Sequence, residues 1–400
     1  MYKFLVIVGI LALYGSFTNV VPISALPCMF FFLVPFILYT RGVVNNVVFA
    51  GILLLGYFFL SVLVYDWPSL VEYDFYRYDG NAFVSMMPLI VLGCVRHHFL
   101  IKKIIRRFIY IATLINFVFM IIYILTGGTF VATEEGVYHF LFKAHNAAGG
   151  YLMIVTAICF GIYIVKRENK YLVCLILNFI GLLLTDSRGS LLGLFFGIIA
   201  LYCKKNNRLK YLLSFAVITQ LIMYSCSYYF APDNYMSVNL MTVDGFDYTE
   251  DMHRGGTFIN RFFYLWPRAI FLFLQSPLLG TGFGSYDDWP YEFIGGYGLI
   301  VNESIIVHSD FHAHNSYLNI LAETGMVGML LFLNFVRQIH KFLIELAHEN
   351  LEMSYALTIC MWAAMASAIT EHRIFAPAQM LPFYIILGIT ISYANRTANN

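Results

Sequence analysis

Runs of apolar residues, each near the length of a bilayer span, recur along the chain and are separated by short polar segments. A transmembrane helix needs about 20 mostly apolar residues, because each residue rises about 1.5 Å and the hydrocarbon layer is about 30 Å thick. The pattern predicts an all-α polytopic membrane protein. About twelve transmembrane helices are expected, near residues 3–19, 22–40, 44–65, 82–96, 108–127, 147–165, 170–185, 189–203, 211–231, 314–336, 354–370 and 378–395.

Composition supports this interpretation and excludes a set of soluble domains. Sixty per cent of the residues are hydrophobic and only 12% are charged, whereas a soluble domain carries about 25% charged residues. The basic clusters are short and flank the apolar runs, which is typical of membrane topology signals and not of a nucleic-acid-binding surface.

Lysine and arginine positions predict the orientation of the chain. With the N-terminus inside, 17 of the 24 Lys and Arg residues are cytoplasmic and 7 are outside. Cytoplasmic loops of membrane proteins are enriched in these residues, so we expect both termini in the cytoplasm. The inside clusters are Arg96–Arg107, Lys166–Lys170, Lys204–Lys210 and Arg337–Lys341.

This orientation divides a single membrane domain into three parts. Residues 1–231 form the first nine helices, 232–313 form a long extracytoplasmic (periplasmic) loop, and 314–400 form the last three helices. Within the loop, segment 257–279 is apolar but contains two arginines, together with Trp266 and Pro267. We expect it to be a helix lying in the outer membrane interface.

The stretch from His314 to Gly328 begins polar and continues into an apolar run. On one continuous helix, with 100° per residue, Gly325 lies about 20° round from His314, which predicts a small-residue seam for a neighbouring helix. Glu323 falls on the opposite face. Because a carboxylate is costly in lipid, Glu323 is expected to face protein, either tying helices together or relaying protons.

Three arginines on the outer side are candidate ligands for an anion. Arg188 lies in a tight turn that opens a helix at Gly189, and its planar donor group suits phosphate oxygens. It is alternatively an interfacial anchor paired with Asp186. Arg261 precedes a glycine-rich segment, and Arg254 is a looser candidate whose alternative is a solvated loop charge.

Four polar residues before the tenth helix, His308, Asp310, His312 and His314, raise the question of a metal site. Their spacing matches no common zinc pattern, and no closed ligand set is evident. The sequence therefore predicts neither a metal nor a cofactor.

Three segments together resemble the bacterial O-antigen ligase and polymerase superfamily. They are His-Asn followed by Tyr-Leu and Ala-Glu-Thr-Gly-x-x-Gly at 314–328, Thr-Asp-Ser-Arg-Gly at 185–189, and an Arg, a Trp and Pro-Leu-Leu-Gly-x-Gly within 261–282. The resemblance implies a glycosyltransferase of the bacterial inner membrane that uses an undecaprenyl-diphosphate-linked oligosaccharide. It implies a catalytic His314, with Arg188, Arg261 and Asn315 binding the diphosphate or substrate. Arg254 has no clear motif match and is added to this set as a looser candidate. Membrane lipids and a chain-length regulator are the other implied partners.

Within the superfamily, the spacing from His314 to Gly325 matches the His-x10-Gly pattern of the polymerases, which join lipid-linked repeat units into surface polysaccharide. The matching Arg-x10-Gly pattern is not evident. This departure keeps open the alternative of a ligase, which transfers polysaccharide to lipid A–core. A transporter or flippase is a third hypothesis, but it explains neither the long outer loop nor the scarcity of ionisable residues at mid-membrane.

Overall fold

The computed structural model shows a bundle of apolar helices. It describes residues 7, 9, 11–14, 44–72, 75–76, 79–94, 101–128, 130–132, 136–142, 144–229, 261–286, 299–301, 304–306 and 312–397. The first two predicted spans, at 3–19 and 22–40, therefore lie largely or wholly outside the described residues. Arg254 lies outside them as well.

Eleven helices in the described residues follow the predicted apolar runs closely. They are α1 (Asn46–Tyr65), α2 (Asn81–Cys94), α3 (Ile101–Thr126), α4 (His145–Lys166), α5 (Asn169–Leu184), α6 (Arg188–Lys205), α7 (Leu209–Tyr229), α8 (Trp266–Gln275), α9 (Ser316–Glu349), α10 (Leu351–Ser367) and α11 (Pro377–Thr397). A short antiparallel hairpin, β1 (Leu299–Val301) with β2 (Ser304–Ile306), lies in the long loop.

Six described helices are long and apolar enough to cross a membrane, namely α1, α3, α4, α7, α9 and α11. Two shorter apolar helices, α2 and α5, accompany them. The all-helical membrane architecture is therefore confirmed, whereas the total of about twelve spans stays a prediction.

The core forms where α10 packs against α4 and α6, and where α11 packs against α2 and α4. Glycines make these approaches close. A Cβ on Gly197 would lie 2.5 Å from the Ile359 carbonyl oxygen, and one on Gly193 would lie 2.6 Å from the Ala363 carbonyl oxygen. Small residues let helix backbones approach in this way in membranes, so the main small-residue seam joins α6 to α10.

Helix α9 is longer than predicted. It has 34 residues, a length of about 51 Å, and continues beyond the expected end at residue 336. The extension keeps an apolar face of Ile339, Phe342, Leu343 and Leu346, all of them buried. The predicted span ended just before Arg337, although the helical repeat of buried positions continues past that residue.

The lysine-rich helix ends meet at one end of the bundle. Lys102 of α3 and Lys166 of α4 both contact Glu352 of α10, at 3.7 and 3.1 Å. Lys204 at the end of α6 donates to Thr358 of α10. The segregation of basic residues predicted from the sequence is thus reproduced in the packing, and the remaining polar cluster lies at the opposite helix ends.

Candidate functional site

The centre of the candidate site is Glu371, in the short connection between α10 and α11. Its Oε1 atom accepts a hydrogen bond from Arg261 Nη2 at 2.7 Å, and its Oε2 atom lies 3.1 Å from His314 Nδ1. Asn146 Nδ2, at the start of α4, donates to Oε1 at 3.3 Å. The Glu371 side chain is only 13% exposed. Two residues predicted separately from the sequence are therefore brought together by one that was not.

His314 is fixed by the turn that precedes α9. The helix begins at Ser316, and the Asn315 side chain caps it by accepting from the backbone N–H groups of Tyr317 and Leu318. His314 itself has a left-handed backbone, with φ of 45°, a conformation in which histidine is enriched among non-glycine residues. The turn and cap together direct the imidazole toward the α10–α11 connection.

Asn315 uses both ends of its side chain within the protein. While its Oδ1 caps α9, its Nδ2 donates to the Tyr224 hydroxyl of α7 at 2.7 Å. Asn315 is fully buried. Its observed contacts are those of a residue that holds His314 in place, so direct contact with substrate stays a prediction.

Arg261 opens a short π-helical turn, Arg261–Leu265, that leads into α8. Ser227 of α7 donates to the Phe262 carbonyl and anchors this turn. The Arg261 side chain is 18% exposed, which suits a guanidinium that binds Glu371 and still borders solvent. Helix α8 has only ten residues, about 15 Å of rise. It is therefore too short to span a bilayer, as expected for segment 257–279.

The guanidinium of Arg373 connects several of the elements around the site through hydrogen bonds. Its guanidinium donates to Gln379 Oε1 at 2.8 Å, to Ser187 Oγ at 3.1 Å and to the Asn146 carbonyl at 3.4 Å. The side chain is fully buried, and a Cβ on Gly150 would collide with it. One arginine thus joins the starts of α4 and α11 to the α5–α6 turn that carries Arg188.

Arg188 itself points away from this network. Its side chain is 71% exposed, and its Nε lies 3.9 Å from Asp186, the outer limit of an ion pair. Its neighbour Gly189 packs against the connection, with a virtual Cβ 2.7 Å from Thr370 Oγ1. Arg188 therefore borders the cluster without being engaged by Glu371.

The cluster keeps Glu371 ionised. Burial raises the pKa of this carboxyl, but the hydrogen bond from His314 and the charges of Arg261 and Arg373 outweigh it and lower the pKa to about 2. Burial lowers the pKa of Arg373 to about 10, against the opposing effect of Glu371. At neutral pH the site consequently holds a carboxylate among guanidinium groups.

Residues 172–333 match the model of the family described as O-antigen ligase. This match supports assignment of the chain to the O-antigen ligase and polymerase superfamily. Members of this family transfer glycosyl groups, and the match begins in α5 and ends in α9. It covers Arg188, Arg261 and His314, so the resemblance seen in the three sequence segments is confirmed. A search of curated proteins finds no match.

Glu371 and Arg373 lie beyond the segment that matches the O-antigen ligase family, and sequence reasoning missed both. Asn146 and Ser187 were missed as well. A signal was present, because the connection 371–376 carries two charged residues and a histidine between two long apolar runs. Charged residues in so short a connection between two apolar helices are expected to pair with other polar groups.

One geometric expectation for the superfamily segment 314–328 was wrong. His314 precedes α9, and Gly325 breaks the helix with φ of 61° and ψ of −162°, so the angles of a continuous helix do not relate them. The segment 276–285 enters this break. Glu323 is buried in protein there, as its cost in lipid required, and its carbonyl accepts from the Gly282 N–H.

Backbone hydrogen bonds fasten the inserted segment on both sides of the break. The N–H groups of Thr281 and Gly282 donate to the carbonyls of Ala322 and Glu323, and those of Met326 and Val327 donate to Pro277 and Leu278. A Cβ on Gly325 would lie 2.5 Å from the Leu278 carbonyl. Gly325 is therefore required both for its backbone angles and for this close approach.

Three histidines lie close together beside the site, with their rings tilted against one another. The rings of His312 and His372 lie 4.4 Å apart, and those of His312 and His314 lie 6.0 Å apart. Burial, with smaller effects of His312 and His314, holds the pKa of His372 well below its usual range. In the described part of the chain no group of three or more ligands has the geometry for a metal ion. His308 and Asp310 lie outside that part.

Proposed function

We propose that this protein is a surface-polysaccharide polymerase that joins undecaprenyl-diphosphate-linked oligosaccharide repeat units. The observation that carries the proposal is the convergence of Arg261 and His314 on Glu371. Glycosyl transfer from a lipid diphosphate needs a base for the attacking hydroxyl and positive charge for the leaving diphosphate. Arg261 and His314 could supply the charge and the base, and both contact the carboxylate of Glu371.

In the proposed reaction, a sugar hydroxyl of the acceptor attacks the anomeric carbon of the donor saccharide. The bond from that carbon to the diphosphate oxygen breaks, and the lipid diphosphate leaves with the bonding electrons. With Nδ1 of His314 donating to Glu371, Nε2 is the nitrogen that accepts the hydroxyl proton. Glu371 then stabilises the imidazolium, while Arg261 and Arg188 compensate the negative charge of the diphosphate.

The proposal assigns the reaction to the outer face of the inner membrane. The site lies at the end of the bundle opposite Lys102, Lys166 and Lys204, and Lys-rich ends favour the cytoplasm. Cysteines introduced at Asp186 and at Asn207 test this assignment. A membrane-impermeant reagent should label the first and not the second in intact spheroplasts, and the reverse labelling would contradict it.

Deleting the gene from a smooth strain of the source bacterium tests the activity. A polymerase deletion leaves lipopolysaccharide with a core and one repeat unit, and the wild-type gene should restore long chains whereas His314→Ala should not. Core alone, with polymer held on the lipid carrier, would instead support the second candidate, a ligase. That candidate is favoured by the description of the matched family model.

The purified enzyme with lipid-linked repeat units tests the requirement for a metal. Because guanidinium groups compensate the diphosphate charge in the proposed reaction, we expect turnover to be unchanged by EDTA. Loss of turnover with EDTA and recovery with a divalent ion would contradict this part of the proposal.

A further inference from the structure

Most described lysines at the inner end of the bundle have an acidic or aromatic partner. Lys102 and Lys166 share Glu352, and Lys170 pairs with Glu168. Lys205 lies 5.6 Å from the centre of the Tyr355 ring. Each of these four lysines thus has a partner within the protein for its positive charge, so none of them requires a bound anion.

Lys204 differs from them because its contact in the described residues is a neutral hydroxyl. Its Nζ donates to Thr358 Oγ1 of α10 at 3.3 Å, and the side chain is partly buried. Within the described part of the chain no carboxylate forms an ion pair with it. A partly buried ammonium with one neutral acceptor retains unused donors.

Two further polar atoms beside Lys204 also lack a partner. Trp362 lies one turn after Thr358 on α10, and its ring centre is 5.7 Å from that of His340 on α9. Trp362 Nε1 and His340 Nδ1 are both buried, and neither has a hydrogen-bond partner among the residues that the structure describes.

Lys204 therefore has donors beyond the one that Thr358 accepts, and the Trp362 N–H has no acceptor among the described residues. An indole N–H only donates, and an ammonium has three donors. A buried donor without an acceptor is destabilising. A phosphate oxygen would satisfy both the charge of Lys204 and the N–H of Trp362.

The surroundings indicate that this phosphate belongs to a lipid. Leu333 lies seven residues before His340 and Ile344 lies four after it, so all three share one face of α9. Leu333 and Ile344 are 50% and 43% exposed, as expected for side chains that face acyl chains. We propose that Lys204, His340 and Trp362 form a binding site for the headgroup phosphate of an anionic phospholipid at the inner end of the bundle.

The full-length protein, purified in a neutral detergent, tests the site. Phosphatidylglycerol is titrated in while thermal stability and lipid adducts in native mass spectra are recorded, with phosphatidylcholine as the neutral lipid. We expect phosphatidylglycerol alone to stabilise the wild type. Lys204→Gln should weaken its binding at least about fivefold, the effect of one charge near a membrane surface.

Two variants distinguish specific lipid binding at this site from non-specific electrostatic attraction of anionic lipid and from misfolding of the protein. Trp362→Phe keeps the ring but removes the N–H, so it should weaken lipid binding in a protein that still folds. Lys205→Gln removes the adjacent, exposed charge and should change binding less than twofold. Equal losses in Lys204→Gln and Lys205→Gln would overturn the proposal, as would unchanged binding in Trp362→Phe. Stabilisation by millimolar inorganic phosphate that phosphatidylglycerol does not match would also overturn the assignment to a lipid.

Discussion

Two buried carboxylates, at opposite ends of the bundle, each bridge two basic side chains. Glu371 contacts Arg261 and His314, and Glu352 contacts Lys102 and Lys166. Their exposures, 13% and 10%, are nearly equal. Burial and charge pairing alone therefore do not distinguish a structural carboxylate from a functional one.

The partners make the distinction. Around Glu352 the lysines are point charges, one of them 73% exposed, and the contacts fasten α3 and α4 to α10. Around Glu371 the partners are a planar guanidinium and an imidazole, which bind phosphate and accept protons. The difference predicts that the role of such a carboxylate depends on the side chains that it orients.

The largest expected difference is between Glu371→Gln and Glu352→Gln. Glutamine at 371 cannot stabilise an imidazolium on His314, so transfer should fall about 100- to 10,000-fold, the range of general acid–base catalysis. Glutamine at 352 should leave turnover within about threefold and lower thermal stability instead. Turnover is measured with purified protein and lipid-linked repeats, and equal losses of turnover in the two variants would refute the comparison.

The next effect concerns the type of cation. Arg261→Ala should reduce turnover about 30- to 1000-fold, because one charge-assisted contact to the leaving group is worth roughly 2–4 kcal/mol. Arg261→Lys should recover only part of it, since a point charge does not reproduce two-point contact. The matched change at the other cluster, Lys166→Arg, should be tolerated. Full activity of Arg261→Lys would show that charge alone suffices.

Arg188 belongs to neither cluster, and we expect a smaller effect there. Because its side chain is 71% exposed, Arg188→Ala should act mainly on substrate binding and raise KM about tenfold. The control, Asp186→Asn, removes the weak ion pair and should leave KM unchanged. A drop in kcat without a change in KM would contradict a binding role.

The smallest effect is on stability in acid. The pKa of Glu371 is lowered from 4.5 to about 2 in the folded protein, so its contribution is present above pH 4.5 and is lost as the pH falls toward 2. The contribution amounts to roughly 3 kcal/mol. Thermal unfolding between pH 5 and 3 should show a weaker pH dependence in Glu371→Gln than in the wild type. If the pH dependence of thermal stability were the same in Glu371→Gln and in the wild type, Glu371 would not be its cause.

The helices could be predicted from the sequence because the lipid environment places one local requirement on every membrane-spanning segment. Each span must satisfy its own backbone and present apolar side chains, and that requirement is local. Only part of the candidate site could be predicted from the sequence. Arg261 and His314 stood out as charges at helix ends, but Glu371 lies 110 and 57 residues further along the chain. Only packing brings them together.

The break in α9 escaped prediction for a different reason. A glycine in an apolar run is compatible with a continuous helix, and nothing local in the sequence specifies φ of 61° at Gly325. The angle is set by the segment 276–285, whose own glycines fit against the opened helix. The sequence analysis recognised Gly325 as a position where another element approaches closely. It did not show that this element is the non-helical segment 276–285.

The opened helix also constrains how the protein is made. The groups at the break have their partners in the segment 276–285 and in Tyr57, whose hydroxyl donates to the carbonyls of Thr324 and Leu279. During synthesis α1 and that segment leave the ribosome before α9 does. Because lipid cannot solvate a bare peptide group, we expect α9 to open at Gly325 only once the segment 276–285 lies beside it. The segment 276–285 and the tenth predicted span are then expected to reach their final structure in one step.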